Sequence, residues 1–205
     1  MVHQVKKRDR RSVRMMSYDY SAPAAYFITI CTFRRANLLS EVIGGIVCLR
    51  AAGKIVEQYW LEILERYENV QLDKFVIMPN HFHGILLLDT AGDSPQHSRA
   101  EESDQPRRHS LSQPHMQRRR MLVPRIVGYF KMNSAKRINR MRGTPGERFW
   151  QRNYYERVVR SEDELRLIRE YIVGNPVSWE SDRENPKATN FGLDYARYFA
   201  DIYDK

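Results

Sequence analysis

Two extended segments separated by only two residues constrain this chain most tightly. Residues 70–78 alternate enough between apolar and polar side chains to read as a strand, residues 81–88 read as a second, and Pro79-Asn80 between them supplies turn chemistry. A linker this short admits antiparallel pairing and excludes a parallel crossover, which needs a dozen or more residues. The segment therefore predicts a β-hairpin, and the rest of the chain must cover its faces.

Around the hairpin the periodicities alternate. Residues 26–33 (Tyr-Phe-Ile-Thr-Ile-Cys-Thr-Phe) are β-branched and aromatic, which suits a pleated, half-buried surface and predicts a central strand. From about residue 43 to 67 apolar side chains recur every three or four, with Ile55, Tyr59 and Ile63 on one line and Val56, Trp60 and Leu64 beside it. A long amphipathic helix, weakened at Gly53, is expected there. A basic-faced helix is expected over 122–141, with Pro124 near its first turn and Ile126, Val127, Phe130 and Ile138 on the apolar side. Residues 149–155 and 157–159 are extended in character, and Ser161 with Glu164 makes a capping box. A last core helix should run from about residue 162 to 174, ended by Pro176. The order strand, helix, hairpin, helix, strand, helix is an α+β pattern in which helices pack on a central antiparallel β-sheet, as in ferredoxin-like folds.

The core domain is assigned to residues 21–176, behind a basic N-terminal arm of residues 1–20 and ahead of a C-terminal tail, 177–205. Residues 89–121 hold no aromatic side chain and are dominated by Ser, Gln, Pro, Arg and His, the composition of a disordered insertion. Its His97, His109 and His115 lack ligand-like spacing.

Composition narrows the function classes. The 205 residues are 42% apolar and 29% charged, enough to bury one core, and no apolar run approaches the roughly 20 residues that span a bilayer. The N-terminus leads into charge rather than a signal-peptide hydrophobic region. Only Cys31 and Cys48 occur, which excludes a disulfide framework or a Cys-rich zinc site and leaves the thiols as core filler in a reducing compartment. A cytoplasmic, nucleoid-associated protein is expected, with no membrane partner and no small-molecule cofactor. The 34 Lys+Arg against 25 Asp+Glu give a formal charge of +9, which favours polyanionic partners, nucleic acid first.

His81-Phe82-His83 lies early in a predicted strand, where residues two apart share a face. Both imidazoles can then converge on one metal while Phe82 enters the opposite layer; structural or solvated histidines are the alternative. Tyr171 and Asn175 are four apart at the end of the last helix, on one face, so a phenol can sit beside an amide oxygen. The alternative there is a packing tyrosine and a C-capping asparagine. Together the four residues satisfy the demands of phosphoryl transfer to tyrosine: a positioned hydroxyl, and a metal that polarises a phosphate oxygen. Mixed nitrogen and oxygen ligands suit Mg²⁺ or Mn²⁺.

Three runs carry a resemblance: Met78-Pro79-Asn80-His81-Phe82-His83-Gly84, Trp150-Gln151-Arg152-Asn153-Tyr154-Tyr155-Glu156 and Tyr171-Ile172-Val173-Gly174-Asn175-Pro176. In combination they resemble the REP-associated tyrosine transposases, a branch of the single-tyrosine HUH transposases. The resemblance extends from near Arg10 to about Trp179, interrupted by the insertion. It implies an HUH fold, with His81 and His83 as the HUH pair, Tyr171 as the nucleophile and Asn175 as the polar third ligand. Many relatives carry His where this chain has Arg157, which can hold phosphate but cannot act as a base.

The activity the resemblance implies is metal-dependent cleavage and rejoining of single-stranded DNA at hairpin, REP-like palindromes, through a 5′-phosphotyrosine intermediate, by a monomer or homodimer. Arg11, Arg14, Lys131, Lys136, Arg137, Arg152 and Arg157 are candidate phosphate contacts. Tyr154 and Tyr155 are candidates for stacking on bases and competing nucleophiles. Two other function classes stay open: a non-catalytic nucleic-acid-binding module, and a metal-dependent hydrolase that uses water and does not need Tyr171.

Overall fold

The computed structural model describes residues 19, 22–89, 121–182 and 184–188. Residues 1–18, 20–21, 90–120, 183 and 189–205, and with them Arg11 and Arg14, lie outside the described residues. Strands β1 (Ala24–Cys31), β4 (Val70–Ile77), β5 (His81–Leu88) and β6 (Tyr155–Val159) form one sheet in the order β4-β5-β1-β6. Every neighbouring pair is antiparallel. Helix α1 (Ala51–Leu61), continued by the short α2 (Ile63–Arg66), connects β1 to β4, and α3 (Leu122–Arg142) lies between β5 and β6 in sequence. The sheet order and connections are those of a ferredoxin-like β-α-β-β-α-β unit, and a final helix, α4 (Glu162–Gly174), follows it.

The chain departs from the sequence expectation before α1. Where a helix was expected from residue 43, β2 (Ser40–Ile43) and β3 (Ile46–Leu49) form a separate two-stranded hairpin. Gly44 and Gly45 turn it with φ of 56° and 77°. Positive φ at both central positions gives a turn whose twist matches that of the strands, so the Gly-Gly pair outweighs the apolar spacing. Cys48 is exposed on this hairpin rather than buried as core filler. Gly53 has a packing role inside α1: a Cβ there would stand 2.2 Å from the Leu39 carbonyl oxygen.

The period-2 alternation of β1 and β5 divides the molecule into two layers. Tyr26, Ile28 and Ile30 join Phe82, Trp60 of α1 and Phe130 of α3 in the larger apolar cluster. Phe82 enters this layer as expected, its ring centroid 4.6 Å from Trp60 and 5.3 Å from Phe130. On the other face Phe27 and Ile85 meet Leu165, Ile168 and Ile172 of α4. The histidines of β5 share that face.

Two polar devices hold α4 against the sheet. Ser161 caps it by accepting the Glu164 N–H at 3.2 Å, while the buried Glu164 carboxylate accepts from the Arg160 N–H at 2.9 Å and pairs with Arg157 Nε at 2.6 Å. The cap is therefore the expected one, but its carboxylate reaches one residue further back. A bulge in β4 between Leu72 and Phe75 contains Asp73, which receives Arg169 Nε of α4 at 2.7 Å. No helix among the described residues is long and apolar enough to cross a membrane.

Candidate active site

His81, His83, Tyr171 and Asn175 come together on the α4 face of the sheet. The register of β1 against β5 pairs Cys31 with His81 and Thr29 with His83. The two imidazole centroids are 4.5 Å apart, and both histidines are buried. Helical spacing carries the other half: Ile168, Ile172 and Tyr171 lie on the stripe of α4 that meets the sheet, and Asn175 follows one turn after Tyr171. Asn175 keeps helical angles, φ −57° and ψ −41°, although a following proline disfavours that region, and its side chain is buried.

Each imidazole is oriented from behind. The side chain of Asn80 donates from Nδ2 to the carbonyls of Glu184 at 2.6 Å and Arg35 at 3.3 Å, so its Oδ1 faces His81 Nδ1 at 2.9 Å. Nδ1 of His81 is thus the donor, and Nε2 carries the lone pair. For His83, Nδ1 lies 2.8 Å from the Thr29 hydroxyl and Nε2 lies 3.4 Å from the Tyr171 hydroxyl. Phe27 stacks on the His83 ring and meets Tyr171 edge-on, while Trp179 lies against His81.

Electrostatics keep the cluster neutral at pH 7. Burial, reinforced by the Arg35 charge, lowers His81 to about 3 against a slight opposing effect of the Asn175 amide. Burial, then the neighbouring His81, lowers His83 well below its ordinary value. Burial, then the Asp182 and Glu184 carboxylates, pushes the Tyr171 phenol well above its ordinary value, so no standing phenolate is present. The Cys31 thiol, beside Glu184 at 3.7 Å, is pushed up to about 12, chiefly by burial, and is not a nucleophile at neutral pH.

Two buried acceptors in this cluster, His81 Nε2 and Asn175 Oδ1, have no hydrogen-bond partner. Buried polar atoms are nearly always satisfied, so a pair of unpaired lone pairs in one place fits a cation-binding site. Among the described residues no three His, Cys, Asp or Glu side chains are grouped to hold a metal ion. Two imidazoles with an amide oxygen are the donor set that is available.

The candidate DNA-contacting residues separate into groups. Lys136, Arg137 and Arg152 are exposed. Lys131 spends its ammonium on the carbonyls of Gln151, Arg152 and Asn153, at 2.8, 3.2 and 3.3 Å, and fastens that loop to α3. The Arg157 charge is matched by Glu164. Tyr154 packs against the α1/α3 cluster and Tyr155 against the α4 cluster, both half-buried. The Tyr171 hydroxyl is the one that lies within hydrogen-bond distance of His83 Nε2, at 3.4 Å.

Sequence reasoning missed the residues that orient the ligands. Asn80 was visible as a turn residue and as part of the Met78–Gly84 run, but not as the partner of His81, and Thr29 depends on a strand register that no local pattern encodes. Trp179, where the resemblance ends, and Asp182 and Glu184 beyond it close the site from the chain after α4, and no local pattern gave any of them a role.

The fold and site thus define an α+β protein of ferredoxin-like topology with a buried histidine pair faced by a helical tyrosine and asparagine. The chain belongs to one family with an uncharacterized protein of Haemophilus influenzae, to which it is 36% identical over 182 residues, covering 85% of this chain and 92% of that protein. No family model matches. Similar solved structures include a REP-associated tyrosine transposase bound to a REP hairpin, at 18% identity and TM-score 0.43, covering 76% of this chain and 68% of that one. A provisionally assigned transposase from Deinococcus radiodurans R1 aligns at 18% identity and TM-score 0.38, covering 76% of this chain and 93% of that one.

Proposed function

We propose that the protein is a REP-associated tyrosine transposase that cleaves and rejoins single-stranded DNA beside a hairpin, with Tyr171 as nucleophile. The observation that carries the reading is the Tyr171 hydroxyl, 3.4 Å from His83 inside the buried His81, His83 and Asn175 cluster. These three residues would hold Mg²⁺ or Mn²⁺, which supplies Lewis-acid polarisation of a phosphate oxygen when bound.

The chain's own contribution is positioning. Helix α4 holds the phenol against the sheet through Ile168 and Ile172, and Phe27 limits the rotation of its ring. Because the phenol is protonated at neutral pH, its proton passes to solvent water as the Tyr171 Oη–P bond forms. The P–O3′ bond breaks, the 3′ oxygen takes up a proton, and the product is a 5′-phosphotyrosyl protein with a free 3′-OH. That linkage preserves the phosphodiester energy, so a second 3′-OH can reverse the step without ATP. Exposed Lys136, Arg137 and Arg152 are the phosphate contacts of this reading among the described residues, and Arg11 and Arg14 add to them. Lys136 and Arg137 belong to the helix on the sheet face opposite the histidines, which suits contact with DNA away from the scissile phosphate.

Labelled hairpin DNA incubated with the protein and Mn²⁺ or EDTA, then run on denaturing gels, tests the reading. A metal-dependent protein–DNA band absent from Tyr171→Phe supports it. Cleavage without a covalent band indicates a hydrolase, and binding without cleavage indicates a binding module; either outcome overturns it.

A further inference from the structure

We infer that Asp182 sets the orientation of the Asn175 amide, holding its oxygen toward His81 so that the site accepts a cation. The inference rests on the metal-site reading above and adds a residue that no sequence motif marks. Asn175 Nδ2 lies 3.4 Å from Asp182 Oδ2 and donates to it. Asp182 is itself fixed: its Oδ1 accepts the Glu184 N–H at 2.7 Å, its carbonyl accepts the Asn185 N–H at 2.9 Å, and its own N–H donates to the Trp179 carbonyl at 3.2 Å.

The chemistry of the two side chains makes this contact directional. A carboxylate only accepts, so it attracts the NH₂ end of an amide and repels the oxygen. With the NH₂ end committed, Asn175 Oδ1 is the buried atom without a partner, in the neighbourhood of His81 Nε2, which also lacks one. Turning the amide by half a rotation would bring the NH₂ to His81 Nε2 and satisfy that lone pair internally. It would also leave the amide oxygen against the Asp182 carboxylate. Leaving buried acceptors unpaired is costly, so without Asp182 the turned, self-satisfied amide is the favoured one, and it offers a cation neither lone pair. Asp182 is therefore a positioning residue that acts through Asn175.

Mn²⁺ binding to the full chain without DNA, followed by electron paramagnetic resonance, tests the inference in wild type, Asp182→Ala, Asn175→Asp and the double variant. Loss of Asp182 should weaken Mn²⁺ binding about 10- to 100-fold, the range typical of residues that orient a metal ligand. In the Asn175→Asp background both oxygens are equivalent and need no orienting, so the same loss should shrink to less than about 3-fold. A persistent loss in that background would mean that Asp182 binds the metal directly or acts by charge alone, which overturns the inference. Unchanged binding in Asp182→Ala overturns it too, while leaving the metal site intact; absence of binding in wild type overturns both. Thermal melts establish that the variants fold, with Asp182→Leu, of similar shape and without an acceptor, replacing Asp182→Ala if the alanine variant does not.

Discussion

The hydroxyl of Tyr171 stands 3.4 Å from Nε2 of His83, across 88 residues of sequence. Neither residue reaches the other by local structure. His83 is aimed by its place in β5 opposite Thr29, and Tyr171 by a helix whose start is capped by Ser161 and whose middle is tied to the sheet by Arg169 and Asp73. Anything that loosens those ties alters the distance between phenol and imidazole.

The buried neutral histidines make the metal-free protein acid-sensitive. His81 and His83 have folded values far below the 6.5 of an exposed imidazole, so the unfolded chain binds more protons below that pH, and stability falls as pH falls. With a folded value of about 3, His81 alone costs about 2 kcal/mol between pH 7 and 5, and His83 acts in the same direction. Burial raises Asp182, which gives a slope of the opposite sign, but one carboxylate opposes two imidazoles. Urea unfolding in EDTA should give a clearly lower midpoint at pH 5 than at pH 7; equal midpoints would contradict the assigned neutral state.

Gly53→Ala distinguishes helix propensity from packing. Propensity alone predicts that alanine stabilises α1 by about 1 kcal/mol. The added Cβ would stand 2.2 Å from the Leu39 carbonyl oxygen, and overpacking of this kind costs typically about 1–3 kcal/mol. The net effect should be destabilising, lowering Tm by several degrees in a thermal melt. A raised Tm would show that the β3–α1 junction shifts freely.

Glu164 joins three groups: the Arg157 guanidinium, the Arg160 N–H and the start of α4. Glu164→Ala should cost about 3 kcal/mol, because the carboxylate is buried and the arginine loses its ion pair. Measured by chemical denaturation, a loss under about 1 kcal/mol would mean that α4 is held mainly by its apolar stripe.

Lys136→Ala and Arg137→Ala should each weaken hairpin binding and reduce the slope of log K against log salt by about 1. Lys131→Ala should instead act mainly on stability, since its ammonium is spent on three carbonyls. Fluorescence anisotropy across a salt series separates the two behaviours.

The architecture was legible because its signals are local. The Pro79-Asn80 turn, the period of α3, the Ser161 cap and the His-x-His alternation all sit within a few residues, and the structure agrees with each. The error over residues 43–50 has the same origin: a short strand pair and the start of a helix both space apolar residues closely, and only the Gly44-Gly45 conformation separates them. Spacing alone pairs the histidines on one strand face and Tyr171 with Asn175 on one helix turn, the resemblance joins the two pairs, and the structure brings all four to the same face of the sheet. Thr29, Asn80 and Asp182 were not legible as their partners, because a partner's identity depends on strand register and on the path of the chain after α4. The commitment of Lys131 and Arg157 to internal partners was hidden for the same reason.

The central claim is that Tyr171 becomes covalently joined to DNA, and mapping the adduct tests it most directly. After reaction with hairpin DNA and Mn²⁺, nuclease trimming, proteolysis and mass spectrometry should locate a nucleotide on the peptide containing Tyr171. The peptide containing Tyr154 and Tyr155 should carry none. A nucleotide on Tyr154 or Tyr155, or cleaved DNA with every tyrosine unmodified, would contradict the account.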